Sequence, residues 1–271
     1  MRIRLGLLLF AAAFSFGQEP AAPDGPALLA GSEAAPLSHR SYRYSEDITV
    51  QIKLPGPPQP AMQFTGTVQA VNPSGANSAG TNSAKMRLEF NVGDEAGILV
   101  ISDGSTTWMY MPLFQQFTRT PQRPEGLQSL TDVIGLPGVP DVAKNTANAQ
   151  VLRSEQIDID GEQHDCWVVE NRMDKFALPQ QPGEEIQDPV FTYWIDKKMG
   201  LALKTSMSMK VQTAGTERPI EAQMQTVTHS VKFDLDLPDS LFVFTPPAGA
   251  RETAELFPGM RRILGGARDT K

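Results

Sequence analysis

From Tyr42 onward the apolar residues recur at every second position, the period of strands with one buried and one wet face. "ITVQIKL" sets Ile48, Val50, Ile52 and Leu54 against Thr49, Gln51 and Lys53. "MRLEFNV" sets Met86, Leu88, Phe90 and Val92 against Arg87, Glu89 and Asn91. "LALKTSMSMKV" and "VTHSVKFDL" repeat the alternation further on. The turns agree. Asp103-Gly104, Asp160-Gly161 and the "DKKMG" run from Asp196 to Gly200 each separate two alternating segments, as hairpins require. The pattern predicts about ten or eleven antiparallel strands between Tyr42 and Phe244. "NPSGANSAGTNSA" reads as a long low-complexity loop between two of them.

Helical spacing is scarce. "PEGLQSLTDVIGLPG" places Leu127, Leu130 and Ile134 on one helical face and stops at Gly135 and Pro137. "ETAELFPGMRRILGG" is interrupted by Pro258 and Gly259, and only a weak helix is expected around Ala27 to Ala35. A sheet this large has a broad apolar face and few helices to cover it. Either it splits into two packed layers or it curls into a partial barrel whose greasy concave side is only partly plugged. The second outcome makes a ligand cavity.

The start of the chain changes the compartment. "MRIRLGLLLFAAAFSFGQ" has two arginines, an apolar run, and small residues at Ser15 and Gly17, the form of a secretory signal peptide cleaved after Gly17. The apolar run is shorter than the roughly 20 residues a membrane span needs. The expected layout is a signal peptide over 1–17, a flexible Ala-, Pro- and Gly-rich leader over 18–40, a β domain over 41–252 and a tail over 253–271. Export to the periplasm as a soluble monomer follows. The formal charge of −7 becomes −9 once the two signal arginines are removed, since that segment holds no acid. This argues against a nucleic-acid partner. Cys166 is the single cysteine, so no internal disulfide braces the fold.

Chemistry-bearing patterns are thin. His164 and Cys166 share a strand face, but Val168 follows on that face, and a thiol among apolar neighbours is ordinarily core. His39, His164 and His229 lack metal-site spacing, so neither a metal nor another cofactor is expected. "DIDGE" is read as a hairpin turn rather than a calcium loop, and GxSxG, Walker and GxGxxG sequences are absent. The expectation is a protein that is not an enzyme. Met62, Met86, Met207, Met209 and Met224 fall in strands, where thioethers either fill the core or repack around variable apolar ligands.

The stretch "ILVISDGSTTWMYMPLFQQFT" resembles the strand–Asp-Gly turn–strand signature of the LolA-type periplasmic lipoprotein carriers, a "DG-x-x-x-W-x-Y-x-P" hairpin. "SLFVFTPPAGARE" is similar to the closing segment of the same family. "YWIDKKMGLALK" and "IDGEQHDCWVVE" resemble hairpins of the wider superfamily of outer-membrane lipoprotein-sorting proteins. The resemblance implies an incomplete antiparallel barrel with a helical lid over a hydrophobic cavity. It implies acylated lipoprotein or lipid as cargo, and inner- and outer-membrane transfer partners. One departure stands out: where the carriers have a basic residue tied to lid control before a proline, this chain reads Val71-Asn72-Pro73.

Strand parity combined with the resemblance gives an expected cavity wall of Phe64, Leu88, Phe90, Leu99, Ile101, Trp108, Tyr110, Leu203, Met207 and Met209, with Leu127, Leu130 and Ile134 as lid. Both sides of the "GILVIS" strand are apolar, so parity there leaves the face open. Sheltering one acyl chain of some 15 methylenes is worth roughly 12 kcal/mol, which explains why such cargo needs a carrier. Two other readings use the same fold: a lipid- or envelope-stress-sensing regulator acting through a protein partner, and a closed β scaffold without ligand.

Overall fold

The computed structural model describes residues 23–54, 57, 59–72, 84–93, 95–121, 146–173, 184–213 and 219–254. The signal segment, the run holding Leu127, Leu130 and Ile134, and the tail beyond residue 254 lie outside the described residues.

The alternating segments form one sheet of twelve strands. In chain order they are β1 (Ser41–Lys53), β2 (Met62–Val71), β3 (Lys85–Val92), β4 (Glu95–Ser102), β5 (Thr106–Met111), β6 (Gln116–Pro121), β7 (Ala149–Ile159), β8 (Glu162–Arg172), β9 (Glu184–Asp196), β10 (Ala202–Thr213), β11 (Ile220–Phe233) and β12 (Arg251–Glu252). The spatial order is β12-β6-β5-β4-β3-β2-β1-β11-β10-β9-β8-β7. Two meanders, β1–β6 and β7–β11, are therefore stitched together by the long antiparallel pairing of β1 with β11. Every ladder is antiparallel except the short parallel one between β12 and β6. The sheet has two free edges, β7 and β12, so the barrel is incomplete, as the pattern predicted. The twelfth strand is a two-residue one, because most of the closing segment is not in the ladder: Asp239–Phe242 is a 3-10 turn.

The predicted hairpin turns are in place. Asp160 and Gly161 take positive φ values of 56° and 82° between β7 and β8, a conformation that Gly and Asp tolerate best. In the β4–β5 turn the Asp103 carboxylate accepts hydrogen bonds from the Ser105 and Thr106 backbone N–H groups, both within 2.8 Å.

The leader carries the weak helix expected around Ala27 to Ala35, so that part is not the flexible run expected over 18–40. Residues Gly25–Ala34 form α1, whose first turn is capped by the Asp24 side chain accepting from the Ala27 N–H at 3.0 Å. Pro26 stands at the start, where a missing N–H costs nothing. Its anchoring explains why it forms despite weak amphipathicity. Leu29 is fully buried in the sheet's apolar cluster. A Cβ on Gly25 would sit 2.4 Å from the Ala149 carbonyl oxygen, so only glycine lets the helix touch β7.

The sheet bends. Neighbouring strands lie about 4.8 Å apart, so β11 and β8 would be roughly 14 Å apart if flat. Yet His229 Nδ1 on β11 lies 2.9 Å from Asp160 Oδ1 in the β7–β8 turn. Around that contact Ile159, Leu201 and Leu203 form a small apolar cluster with Val227 and Val231 packed on it.

Candidate ligand-binding face

Register assigns each strand residue to one of two faces, since directly paired residues point the same way. The inner face is the one that carries α1. Its rows run across the strands. Met62, Val50, Met224, Met207 and Phe191 make one row over β2, β1, β11, β10 and β9. Val92, Phe64, Ile48, Thr226, Thr205 and Tyr193 make the next. Phe90, Gly66, Glu46 and Thr228 follow, and then Leu88, Val68 and Tyr44.

Two buried clusters sit on this face. One gathers Leu29 of α1 with Val169, Phe191, Tyr193 and Ile195; the other gathers Tyr42, Val68, Ala70, Met86, Leu88 and Val100. Burial fades toward the far end of the strands. Ile52 is 36% exposed, Met62 46% and Val92 52%, on adjoining strands at one lip of the inner face, and Leu54 just past the end of β1 is 49% exposed. Ile48, Val50, Phe64, Met207, Met209 and Met224 behind them are half-buried. The face thus grades from sealed core beneath α1 to an apolar lip in water. Contiguous exposure of this kind on one face marks a surface built to be covered.

The expected wall is split between two faces. Phe64, Leu88, Phe90, Met207 and Met209 share the inner face. Leu99, Ile101, Trp108 and Tyr110 do not: Leu99 pairs with Glu89 and Tyr110, and Ile101 with Arg87 and Trp108, on the opposite side. There the carboxyl-terminal segment seals them. Phe244 packs against Trp108, Tyr110 and Phe117 with ring centroids 5.3–6.2 Å apart, and Phe242 beside it is 1% exposed. Arg87 donates to the Leu241 carbonyl and Lys85 pairs with Asp239, tying the segment down. Leu203 also lies outside, because a bulge between Ala202 and Lys204 turns it into the Ile159–Leu201 cluster. The inner residues of the Trp-containing hairpin are Ile98, Val100 and Met109 instead. Ile48, Val50, Met62 and Met224 also share the inner face; parity offered them and the expected wall left them out.

One carboxyl stands among the inner positions of the central strands. Along β1, β2, β3, β10 and β11 the inner positions hold no Lys or Arg among the described residues, and Glu46 is their single carboxyl. Burial pushes its carboxyl up to about 7. Burial, then the charge of Glu46, holds the Tyr44 hydroxyl well above its ordinary value, with Tyr42 and Glu33 of α1 adding to it. Burial and Glu33 do the same to Tyr193, whose hydroxyl is buried without a hydrogen-bond partner. A separate groove of about 330 Å³ runs along α1, lined by Leu28, Gly31, Trp167 and Lys197 among others. Lys197 Nζ lies 4.1 Å from the Trp167 ring centroid there.

The thiol–imidazole pair is not poised for nucleophilic work. Cys166 is 0% exposed, and burial followed by the charges of Asp196 and Asp165 pushes its thiol up to about 12. His164 Nδ1 is held 3.0 Å from Asp196 Oδ2. No group of three or more potential metal ligands occurs among the described residues. Nor is any described helix long and apolar enough to cross a membrane.

No family model and no curated protein matches the chain. Solved structures show similarity over most of the chain. A conserved protein from Thermus thermophilus is similar over 84% of this chain and 96% of its own, with 15% identity and a TM-score of 0.39. A LolA superfamily protein from Nitrosomonas europaea is similar over 82% of this chain and 99% of its own, with 16% identity and a TM-score of 0.31. A DUF1329 family protein from Desulfovibrio piger is similar over 81% and 98%, with 13% identity and a TM-score of 0.32. Among the described residues the fold is an open, curled antiparallel sheet with a short helix on its inner face.

Proposed function

We propose that this protein is an exported carrier that shelters acyl chains against the inner face of its half-barrel. The observation that carries the reading is the graded inner face. Ile52, Leu54, Met62 and Val92 form an exposed apolar lip continuous with a half-buried floor of Ile48, Val50, Phe64, Met207, Met209 and Met224. A closed scaffold would bury that floor under its own chain, as Phe242 and Phe244 do on the other side.

Release is as important as capture. A fully enclosed chain of some 15 methylenes would be held by roughly 12 kcal/mol, too tightly to hand on. An open lip keeps part of the chain accessible to the next acceptor. The floor's methionines adapt to chains of different length and branching. In this reading the signal peptide expected over 1–17 sends the carrier to the periplasm, with a lipoprotein or free lipid as cargo and membrane-bound donors and acceptors as transfer partners.

The test is purification from the periplasm without detergent, followed by native mass spectrometry. An added mass matching a phospholipid, fatty acid or acylated protein supports the carrier. A bare chain that also leaves a fluorescent fatty acid unbound refutes it.

A further inference from the structure

The inner face contains a polar group that acyl-chain burial does not call for. Glu46 lies two rows in from the lip, and no partner neutralises it: it has neither a hydrogen bond nor an ion pair among the described residues. Gly66 is its paired residue on β2, and the Phe90 ring lies over that glycine, with Cε1 only 2.8 Å from where a Cβ would stand. That same Cβ position is 3.7 Å from the Glu46 Cβ, so the ring and the carboxyl side chain are neighbours. Tyr44 follows on the same face and feels the Glu46 charge.

We propose that Glu46, the Phe90 ring and Tyr44 form a receptor for a cationic amine, so that the inner face selects long-chain amphiphiles with an ammonium head over those with an anionic one. The inference rests on the acyl-binding reading above and names its ligand class. A carboxylate flanked by aromatic rings is the chemistry that recognises ammonium groups, through ion pairing and attraction to the ring face. A lone carboxylate on an apolar surface is costly, and a bound cation offsets that cost where the protein supplies none. An anionic head would meet the opposite: a like charge, with no Lys or Arg at the inner positions of β1, β2, β3, β10 or β11 to answer it. The raised carboxyl of Glu46, near 7, is what an unanswered charge in such a place shows.

The test is isothermal titration of the mature protein at about pH 8, where carboxyls are ionised. The titrants are dodecylammonium chloride, sodium dodecanoate and the uncharged octaethylene glycol monododecyl ether, each below its micelle concentration. Dodecylammonium is expected to bind about tenfold more tightly than dodecanoate. Glu46→Gln should bring the two within about twofold and leave the uncharged ether unchanged. Binding of the ether with no head preference, or a preference that survives Glu46→Gln, overturns the receptor while the carrier reading stands. Failure of all three to bind overturns both.

Should Glu46→Gln not fold, the wild type provides the check. Between pH 8 and 6 the preference must fall as the Glu46 carboxyl takes up a proton near 7. Tyr42 and Tyr44 on β1 and Glu33 on α1 are the titratable neighbours on that side, while the paired Gly66 and Thr228 carry no titratable group. A preference that stays constant across this range overturns the receptor.

Discussion

The two faces of the sheet around the β4–β5 hairpin both carry apolar residues and meet different fates. On the outer side Ile101, Trp108, Tyr110 and Phe117 are sealed by Phe242 and Phe244, which the chain brings back after its last long strand. On the inner side the face runs from the buried Leu88 and Val100 outward to Val92 and Met62, which stand in water. An aromatic hairpin is thus no evidence of a binding wall until its cover is known. The outer patch is structural because the protein supplies its own plug. On the inner lip no described residue plays that part, and the carrier proposal rests on this contrast.

The largest contrast should come from the plug itself. Phe242→Ala removes a fully buried ring and should cost about 3–5 kcal/mol in chemical denaturation while leaving acyl binding by the folded protein intact. Loss of binding with unchanged stability would make the outer side the site and invert the comparison.

Gly25→Ala should come next. Its Cβ would stand 2.4 Å from the Ala149 carbonyl oxygen, so α1 must shift off β7 at a cost of about 1–3 kcal/mol. The displaced helix should expose Leu29 and raise the fluorescence of a bound hydrophobic dye. A variant with wild-type stability and dye response would show that α1 does not hold down the inner core.

The third effect is a pH slope. The folded Glu46 carboxyl is raised from 4.5 to about 7, so between those values the folded state binds more protons than the unfolded one. Stability should therefore fall as pH rises from about 4.5 to about 7, and Glu46→Gln should flatten that part of the profile. Urea melts across this range decide it; an unchanged slope in the variant would remove Glu46 from the account.

The smallest change in stability should accompany the largest change in binding. Met62→Glu and Val92→Glu alter residues that are 46% and 52% exposed, so each should move stability by no more than about 0.5 kcal/mol. Both should nonetheless weaken the binding of a fluorescent fatty acid. Unaltered binding in both variants would mean that the lip is ordinary surface.

Much of this could be read from residues alone. Alternation from Tyr42 onward specified antiparallel strands, because a period of two cannot bury one helical face. The Asp-Gly turns placed the hairpins, because few residues tolerate the required backbone. Five of the ten expected wall residues, Phe64, Leu88, Phe90, Met207 and Met209, share a face because no bulge interrupts the pairing of β2 with β3 or of β10 with β11. Leu203 was misplaced by one bulge, which adds a residue and flips the side chain without leaving a mark in composition.

Leu99, Ile101, Trp108 and Tyr110 show the other limit. A strand apolar on both sides has no parity to read, and only the return of the distant Phe244 decides which side is core. The helix α1 was nearly invisible for a similar reason: it is held by Gly25 against Ala149 and Leu29 against Val169, partners more than a hundred residues away. Local pattern determined which segments are strands and where they turn, since those depend on neighbours in sequence. Which greasy surface is sealed, which is left open, and that a lone carboxylate stands inside it depend on contacts between distant segments, and only the tertiary structure decided them.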